Sequence, residues 1–166
     1  MRLNKKDAKQ LLYKVVFLAL KTALLCLCVW FIGTHIYTFD KATGTMAPSF
    51  QTGDLVIGFT LERDYTKGMV VTYEDCQYRI IATEGDVVDL KDGVLYINDV
   101  PQDESYAEGM TYALSGGISY PIEVQENEGF LLGDNRMYTE DSRLFGCVSL
   151  DEITSKVIAV LRQRNI

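Results

Sequence analysis

Residues 15–39 read VVFLALKTALLCLCVWFIGTHIYTF, and this apolar run divides the chain into an anchor and a body. Lys21 is the only residue in the run with a formal charge at neutral pH. It lies within two turns of the basic end, so its long side chain can reach the lipid headgroups. A helix needs about 20 apolar residues to cross a bilayer. The run therefore predicts a transmembrane helix over residues 15–39.

Residues 1–14 carry five Lys or Arg side chains against one acid, Asp7. Basic residues beside a spanning helix favour the cytoplasmic side of the membrane. We therefore expect a cytoplasmic tail over residues 1–14, a single pass through the cell membrane, and an extracytoplasmic body over residues 40–166. The phospholipid membrane is then one partner of the chain.

A cleaved secretory signal is the main alternative to an anchor, and its basic start would fit. The apolar run is longer than the about 7–15 apolar residues of such signals, and no A-x-A-like cleavage site follows it. The sequence therefore favours an uncleaved anchor. Its length also argues against a buried core helix.

The charge of the chain is unevenly distributed. The whole chain has a formal charge of −7, yet the part after residue 37 holds ten basic and 22 acidic residues, a charge of −12. An acidic body repels phosphate groups, so nucleic acid is not an expected partner. The sequence does not indicate an oligomeric state.

Four cysteines are present, two of them in the apolar run (Cys26 and Cys28) and two in the body (Cys76 and Cys147). Their spacing fits no zinc signature, and we expect neither a metal site nor a cofactor. A disulfide between Cys76 and Cys147 is one alternative if the body faces an oxidising compartment. Two free buried thiols are the other.

The body shows short β-branched and aromatic runs without a long helical periodicity, and turn signals rich in Gly, Asp and Asn separate them. The stretch from Val87 to Ile97 predicts a hairpin around Lys91-Asp92-Gly93. This pattern predicts a mainly β domain, either a small barrel or a folded-over sheet. The runs span residues 55–58, 69–73, 78–82, 87–90, 94–97, 130–132 and 157–161.

Residues 102–128 interrupt this pattern with a polar and acidic stretch, QDESYAEGMTYALSGGISYPIEVQENE. Such a stretch predicts an insertion or a long loop. We expect its acidic side chains to form a solvated face. It is called the insertion below.

Four further segments occur in a fixed order. The first (residues 44–48) reads GTMAP, the second (53–57) GDLVI, the third (79–86) RIIATEGD and the fourth (133–143) GDNRMYTEDSR. Together they resemble the type I signal peptidases of the Gram-positive type. In that family the first, third and fourth patterns are Ser-Met-x-Pro, Lys-Arg-Ile-Ile-Gly-x-Pro-Gly-Asp and Gly-Asp-Asn-Arg-x-x-Ser-x-Asp-Ser-Arg. The fourth is the most specific, and the resemblance covers about residues 5–161.

The resemblance implies a signal-peptidase-like fold, in which a β-rich core follows one N-terminal transmembrane helix and its apolar edge dips toward the bilayer. It also implies a Ser–Lys dyad, in which a serine hydroxyl attacks a peptide carbonyl and a desolvated lysine takes its proton. In this chain Thr45 stands at the nucleophile position. Tyr78 stands at the general-base position.

The resemblance assigns supporting roles to other residues of the same segments. Thr43 matches a hydroxyl of the oxyanion hole, and Thr139 matches the hydroxyl that orients the lysine. Asp141 and Arg143 match a structural ion pair, and Asp134 and Arg136 are expected to brace the same turn. The substrate-binding groove is assigned to Met46, Pro48 and Arg79.

Both dyad positions depart from the family pattern. A threonine nucleophile still needs a base, and a tyrosine with an ordinary pKa of about 10 is a proton donor at neutral pH. The body contains no histidine, and the only one in the chain, His35, lies in the apolar run. We therefore expect Thr45 and Tyr78 to be non-functional as a catalytic pair. Lys67 is the one candidate for a rescuing base from a nearby loop.

Three hypotheses of function follow. The favoured one is a non-catalytic accessory protein that binds exported precursors, similar to the dyad-lacking signal-peptidase-like proteins that assist pilus assembly in Gram-positive bacteria. Pilin subunits are then the expected partners. The alternative is an active type I signal peptidase with Thr45 as its nucleophile. The third is a structural membrane protein that has also lost the groove.

Overall fold

The computed structural model describes residues 5–162, which form two units divided between residues 36 and 37. The first unit is the helix α1, Lys5–His35. Its part Lys9–His35 is long and apolar enough to cross a membrane, with a mean hydropathy of 2.5. The predicted tail is helical from residue 5 onward, and its residues 1–4 lie outside the described part.

The helix ends earlier than the apolar run of the sequence. Its last backbone bond runs from the Ile36 N–H to the Ile32 carbonyl at 3.1 Å. Tyr37 and Phe39, which the sequence analysis placed in the helix, instead begin the first strand of the second unit. Aromatic residues fit a strand as well as a membrane interface, so pairing with a distant strand decides their conformation.

The second unit is a mainly β domain whose described part contains eleven strands and a short helix, α2 (Ser142–Phe145). A 3₁₀ turn, Leu150–Glu152, precedes the last strand. The strands are β1 (Tyr37–Lys41), β2 (Leu55–Phe59), β3 (Val70–Tyr73), β4 (Cys76–Thr83), β5 (Val87–Lys91), β6 (Val94–Ile97), β7 (Val100–Pro101), β8 (Ile122–Glu123), β9 (Glu128–Leu132), β10 (Val148–Ser149) and β11 (Ser155–Leu161).

The strands form two antiparallel sheets. The larger sheet has the order β1-β2-β11-β3-β4-β9-β10, and the smaller one has the order β7-β6-β5-β8. A mainly β fold after one apolar N-terminal helix is therefore confirmed. The predicted runs all lie at least partly in strands, whereas β7, β8 and β10 were missed because two residues are too short to show a period.

The predicted hairpin is formed by β5 and β6. Lys91 pairs with Val94, so the turn contains only Asp92 and Gly93. Both turn residues have a positive φ, 52° and 81°. Two-residue turns of this kind match the twist of the strands and favour Asp-Gly.

Strand β4 lies between two apolar clusters. A register shift between Ile80 and Ala82 interrupts its pairing with β9. Ile80 and Ile81 are buried in different clusters because consecutive strand residues point to opposite faces, and the shift places Ala82 in the same cluster as Ile81. Tyr78 belongs to the same cluster as Ile80. The strand that carries the general-base position is therefore fixed by packing on both faces.

The structure separates the two cysteines of the body. Cys76 lies at the start of β4. Cys147 lies near the other end of this strand, because Val148 pairs with Gly129, which in turn pairs with Thr83, the last residue of β4. The length of β4, at about 3.3 Å per residue, places the cysteines on the order of 20 Å apart. A disulfide needs Cα atoms within about 7 Å. Both thiols are free, as in the second alternative, but both are partly exposed and not buried.

The fourth segment is organised by a buried ion pair. Arg143 is 1% exposed and Asp141 is fully buried, and Arg143 Nε lies 2.8 Å from Asp141 Oδ1. A second guanidinium nitrogen of Arg143 donates to the carbonyl of Arg136 at 2.8 Å. Asp141 also accepts the Gly133 N–H at 3.2 Å. The ion pair thus joins both ends of the segment.

Arg136 braces the turn as expected, because its Nη1 donates to the Gly133 carbonyl. It also fixes the insertion. It donates to Glu104 at 2.5 Å and to the Thr111 hydroxyl at 2.9 Å. The Thr111 hydroxyl in turn donates to Glu104 at 2.7 Å. The expectation of a purely solvated acidic face was therefore wrong for Glu104, whose side chain is only 14% exposed. A buried arginine requires a counter-charge, and sequence alone did not show which acid supplies it.

We predict that Arg143→Met lowers the free energy of unfolding by about 3–5 kcal/mol, because it leaves the Asp141 carboxylate buried without a counter-charge. Unfolding of the full-length protein in detergent micelles measures this loss. Lys91→Met is the control, because Lys91 pairs with Asp89 at 2.7 Å with half of its side chain exposed. An exposed pair contributes little, so equal losses in the two variants would contradict the prediction.

We predict that Glu104→Gln loosens the insertion, because a neutral amide replaces the charge that faces Arg136. A hydrogen bond between charged groups contributes about 1.5–3 kcal/mol, so amide hydrogens of residues 102–121 should exchange about ten to a hundred times faster. Hydrogen–deuterium exchange with mass spectrometry measures this rate. Glu126→Gln, at an exposed position of the insertion, should leave the rate unchanged. Unaltered exchange in Glu104→Gln would contradict the anchoring role.

Candidate active site

Thr45 lies on a turn that follows β1, and its hydroxyl points at the backbone of β4. Thr45 Oγ1 donates to the carbonyl oxygen of Gln77 at 2.8 Å. Gln77 directly precedes Tyr78, so the nucleophile position does lie against the strand of the general-base position. The Thr43 hydroxyl lies 3.3 Å from that of Thr45. The partners of the Thr45 hydroxyl are thus a peptide carbonyl and a second hydroxyl.

The fourth segment closes over Thr45 from the other side. The Asn135 N–H donates to the Thr45 carbonyl at 2.9 Å. The Thr139 hydroxyl donates to the Asn135 carbonyl at 2.6 Å and lies 3.3 Å from the Thr45 carbonyl. The structure therefore brings Thr43, Thr45 and Thr139 together. The Thr139 hydroxyl, however, binds backbone oxygens where the family pattern would have it orient an amine.

Tyr78 is a buried hydrogen-bond donor in this structure. Its side chain is 6% exposed, and its ring lies near those of Tyr73 and Phe145, with centroids 6.4 and 6.2 Å away. The phenol donates to the carbonyl oxygen of Glu140 at 3.1 Å. Burial, and then the neighbouring Cys76 thiol, raise the pKa of Tyr78 well above its ordinary value. Tyr78 therefore keeps its proton at neutral pH and cannot accept one from Thr45.

Arg79 points away from the hydroxyl cluster and binds Asp134. Its Nε and Nη2 donate to the two carboxylate oxygens at 2.9 and 2.6 Å. Its Nη1 donates to the Gly68 carbonyl at 2.9 Å, and the guanidinium lies 4.6 Å from the centre of the Tyr106 ring. Ser49 donates to the same carboxylate at 2.6 Å. Asp134 thus links the first segment's turn to β4.

A family model described as signal peptidase, peptidase S26, matches residues 12–162. The chain belongs to this family. Signal peptidase IB of Staphylococcus aureus is 29% identical over 172 aligned residues, which cover 90% of this chain and 88% of that protein. Signal peptidase I of Bacillus caldolyticus is 30% identical over 131 residues, which cover 68% of this chain and 72% of that protein.

Two further comparisons cover a smaller part of this chain. Thylakoidal processing peptidase 1 of Arabidopsis thaliana is 36% identical over 81 residues, which cover 48% of this chain but only 22% of that protein. The crystal structure of a signal peptidase I from Enterococcus faecalis aligns with a TM-score of 0.45 and 24% identity. This alignment covers 58% of this chain and 98% of that one.

The three residues assigned to the groove of this signal peptidase homologue differ in accessibility. Pro48 is exposed and Arg79 is partly buried. Met46 is only 1% exposed, so its side chain offers no surface to a substrate, which corrects its assignment. The sequence motif does not reveal the direction of this side chain.

Lys67 is held away from Thr45. Its ammonium lies 3.1 Å from Asp86, which also accepts the Thr83 N–H at 3.0 Å. Lys67 is therefore near the Thr83 end of β4, whereas Thr45 contacts Gln77 near the other end. The six residues of strand between Gln77 and Thr83 span about 20 Å. The structure therefore gives this lysine a different partner and does not support its role as a rescuing base.

Gln77 is a site residue that the signal peptidase motifs did not reveal. Its carbonyl accepts the Thr45 hydroxyl, and its side chain is fully buried opposite Thr72 on β3. Neither the Thr72 hydroxyl nor the Gln77 amide has a hydrogen-bond partner within residues 5–162. Polar residues inside otherwise apolar strands were the available signal for this pair.

We predict that Tyr78→Phe lowers the free energy of unfolding by about 0.5–1.5 kcal/mol, because it removes one hydrogen bond and keeps the ring. It should also remove one late-titrating tyrosine from an absorbance titration. Since the folded pKa of Tyr78 lies above the unfolded value of about 10, its contribution is complete below that pH and is lost as the pH rises further. Tyr138→Phe, at an 85% exposed position, is the control. An identical titration of Tyr78→Phe and wild type would contradict the assignment.

Proposed function

We propose that this signal peptidase homologue binds exported precursor proteins at the cell membrane without cleaving them, and that it assists pilus assembly. One observation carries the proposal. The hydroxyls of Thr45 and Tyr78 both donate to backbone carbonyls, at 2.8 and 3.1 Å. Neither hydroxyl is arranged as a nucleophile next to a base.

The chemistry of peptide cleavage makes this arrangement a severe handicap. A hydroxyl nucleophile must lose its proton to a base within hydrogen-bond reach, and a peptide carbonyl does not serve as one. General acid–base catalysis contributes about 10²–10⁴ to the rate. Loss of the complete nucleophile–base unit costs far more. A Thr45–Tyr78 pair is therefore expected to leave negligible peptidase activity.

An unpaired sheet edge near Thr45 supports the binding part of the proposal. β1 is the edge strand of the larger sheet, so one side of its backbone is unpaired within that sheet. An extended peptide can add to such an edge through main-chain hydrogen bonds. β1 leads directly to the hydroxyl cluster at Thr43 and Thr45. A precursor lying along β1 would thus pass Thr45, at the nucleophile position, and remain uncleaved.

The anchor supports a membrane location for this role. Helix α1 is long enough to span a bilayer, and the basic residues at its start favour a cytoplasmic N-terminus. Exposed apolar side chains on β1, β2 and β11 suit contact with lipid, among them Phe39, Leu55 and Leu161. Pilin subunits are the proposed precursors, since loss of the dyad is the feature shared with the pilus-assembly members of the family.

The alternative is an active signal peptidase that uses Thr45. The specific observation in its favour is the short distance between the Thr43 and Thr45 hydroxyls, 3.3 Å, which resembles an oxyanion-hole arrangement. The similarity to named peptidases is equally consistent with it. This alternative requires a base other than Tyr78.

The full-length protein in detergent–phospholipid micelles, incubated with a pre-protein and with its own host's pilin precursor, tests the proposal. We expect no cleavage, together with retention of the pilin precursor on the immobilised protein. Thr45→Ala should retain the precursor equally well. Cleavage after the signal sequence that disappears in Thr45→Ala would instead establish the active peptidase. Neither cleavage nor retention would contradict both candidates.

A further inference from the structure

We infer that a methionine–tyrosine surface of the β domain binds a partner polypeptide whose contact segment combines apolar and basic side chains. The surface consists of Met110 and Tyr112 from the insertion and Met137 and Tyr138 from the fourth segment. Their exposed fractions are 63%, 55%, 67% and 85%. A single exposed apolar side chain is ordinary, whereas neighbouring large ones indicate an interaction site.

The backbone brings the insertion and the fourth segment side by side. The Glu108 N–H donates to the Asp134 carbonyl at 2.7 Å, and the Arg136 N–H donates to the Glu108 carbonyl at 3.0 Å. These bonds form a short parallel bridge between Glu108 and Asn135. Residues 110–112 and 137–138 follow the two sides of this bridge in sequence, so they lie on the same part of the domain.

Two of the four exposed side chains, Met137 and Tyr112, lie in close contact with glycines. A Cβ atom at Gly109 would lie 2.9 Å from Met137 Cγ, and one at Gly93 would lie 2.8 Å from the Tyr112 ring. Only glycine leaves room for these side chains to lie on the backbone. The Tyr112 hydroxyl also donates to the Met110 sulfur at 3.2 Å. Side chains ordered before binding lose less entropy when a partner arrives.

The composition of the surface fits a protein partner. Tyrosine and methionine are enriched at protein interfaces relative to other surface. Methionine adapts its shape to different partners because its side chain is unbranched and polarisable. The tyrosines add a hydroxyl that can bond to a partner while the ring is covered.

The charges around the surface select a basic partner. Asp92, Glu108 and Glu140 are exposed and stand next in sequence to Gly93, Gly109 and Thr139. Among the nearby cations, Arg136 is only 2% exposed and binds Glu104. Lys91 is half exposed and is paired with Asp89. An acidic rim attracts Lys and Arg and repels the anionic surface of a membrane. The charge therefore favours a polypeptide over a lipid surface.

This surface is independent of the proposed function. Its four side chains do not belong to the hydroxyl cluster at Thr45, and an active or an inactive signal peptidase would carry it equally. Binding here should therefore persist in Thr45→Ala. The two proposals can fail separately.

The test uses the full-length protein in phosphatidylcholine nanodiscs. The probe is a fluorescein-labelled 12-residue peptide of alternating Leu and Lys, and its control is the same peptide with Glu in place of Lys. Fluorescence anisotropy measures binding, and empty nanodiscs provide the background. We expect the Leu/Lys peptide to bind, with an affinity that falls as salt rises. Equal binding of the Leu/Glu peptide would overturn the role of the acidic rim.

Variants locate the binding. Tyr138→Ser and Met110→Ser should each weaken it by about tenfold or more, as expected for side chains that anchor an interface. The Glu108→Gln/Glu140→Gln variant should weaken it and reduce its salt dependence. Leu61→Ser is the matched control, because Leu61 is 57% exposed in the loop after β2. Unchanged affinity in Tyr138→Ser and Met110→Ser would overturn the proposal.

A lipid surface is the competing occupant, and a photo-crosslinker distinguishes it. p-Benzoylphenylalanine in place of Tyr138 should label the Leu/Lys peptide. If it labels nanodisc lipid and the peptide does not compete, the surface faces the bilayer and the proposal is wrong.

Discussion

The guanidinium of Arg143 lies where almost no water reaches it, and its ion pair with Asp141 holds both ends of the fourth segment together. Without this pair, the backbone of the fourth segment would not be fixed in its position over the turn that carries Thr45. Asp141 contributes twice, because it also accepts the Gly133 N–H. The positions of Thr139 and Asn135 against Thr45 depend on that path. A structural ion pair, and not the dyad, therefore organises the candidate site.

The candidate site belongs to a signal peptidase homologue in which Thr45 and Tyr78 occupy the predicted dyad positions. The threonine hydroxyls still converge, and β4 still runs beside the nucleophile position. Thr45 and Tyr78 both donate to backbone carbonyls. Such bonds stabilise the fold locally, but a carbonyl oxygen does not act as a base that takes the hydroxyl proton. Under the proposed function, fold and peptidase activity separate at two side chains.

The sequence predicted the strands well and the side-chain partners poorly. The turn at Asp92-Gly93 was predictable because a two-residue turn needs positive φ at adjacent residues. Glu104 was assigned to a solvated face because acidic residues in a polar stretch are usually exposed, yet it pairs with Arg136 from 32 residues away. Met46 was assigned to a groove because its motif says nothing about the direction of its side chain. Each error concerns a contact that the local sequence does not encode.

The sequence by itself determined the apolar N-terminal helix, the mainly β domain and the family, because these depend on composition, on short-range periodicity and on an eleven-residue motif. It also predicted Thr45 and Tyr78 at the two dyad positions. Only the tertiary structure decided that the Thr45 hydroxyl meets the Gln77 carbonyl and that Tyr78 is buried as a donor. It also decided that the insertion and the fourth segment share one surface. Hydrogen bonds and burial join residues far apart in the chain, and only the folded backbone fixes which of them meet.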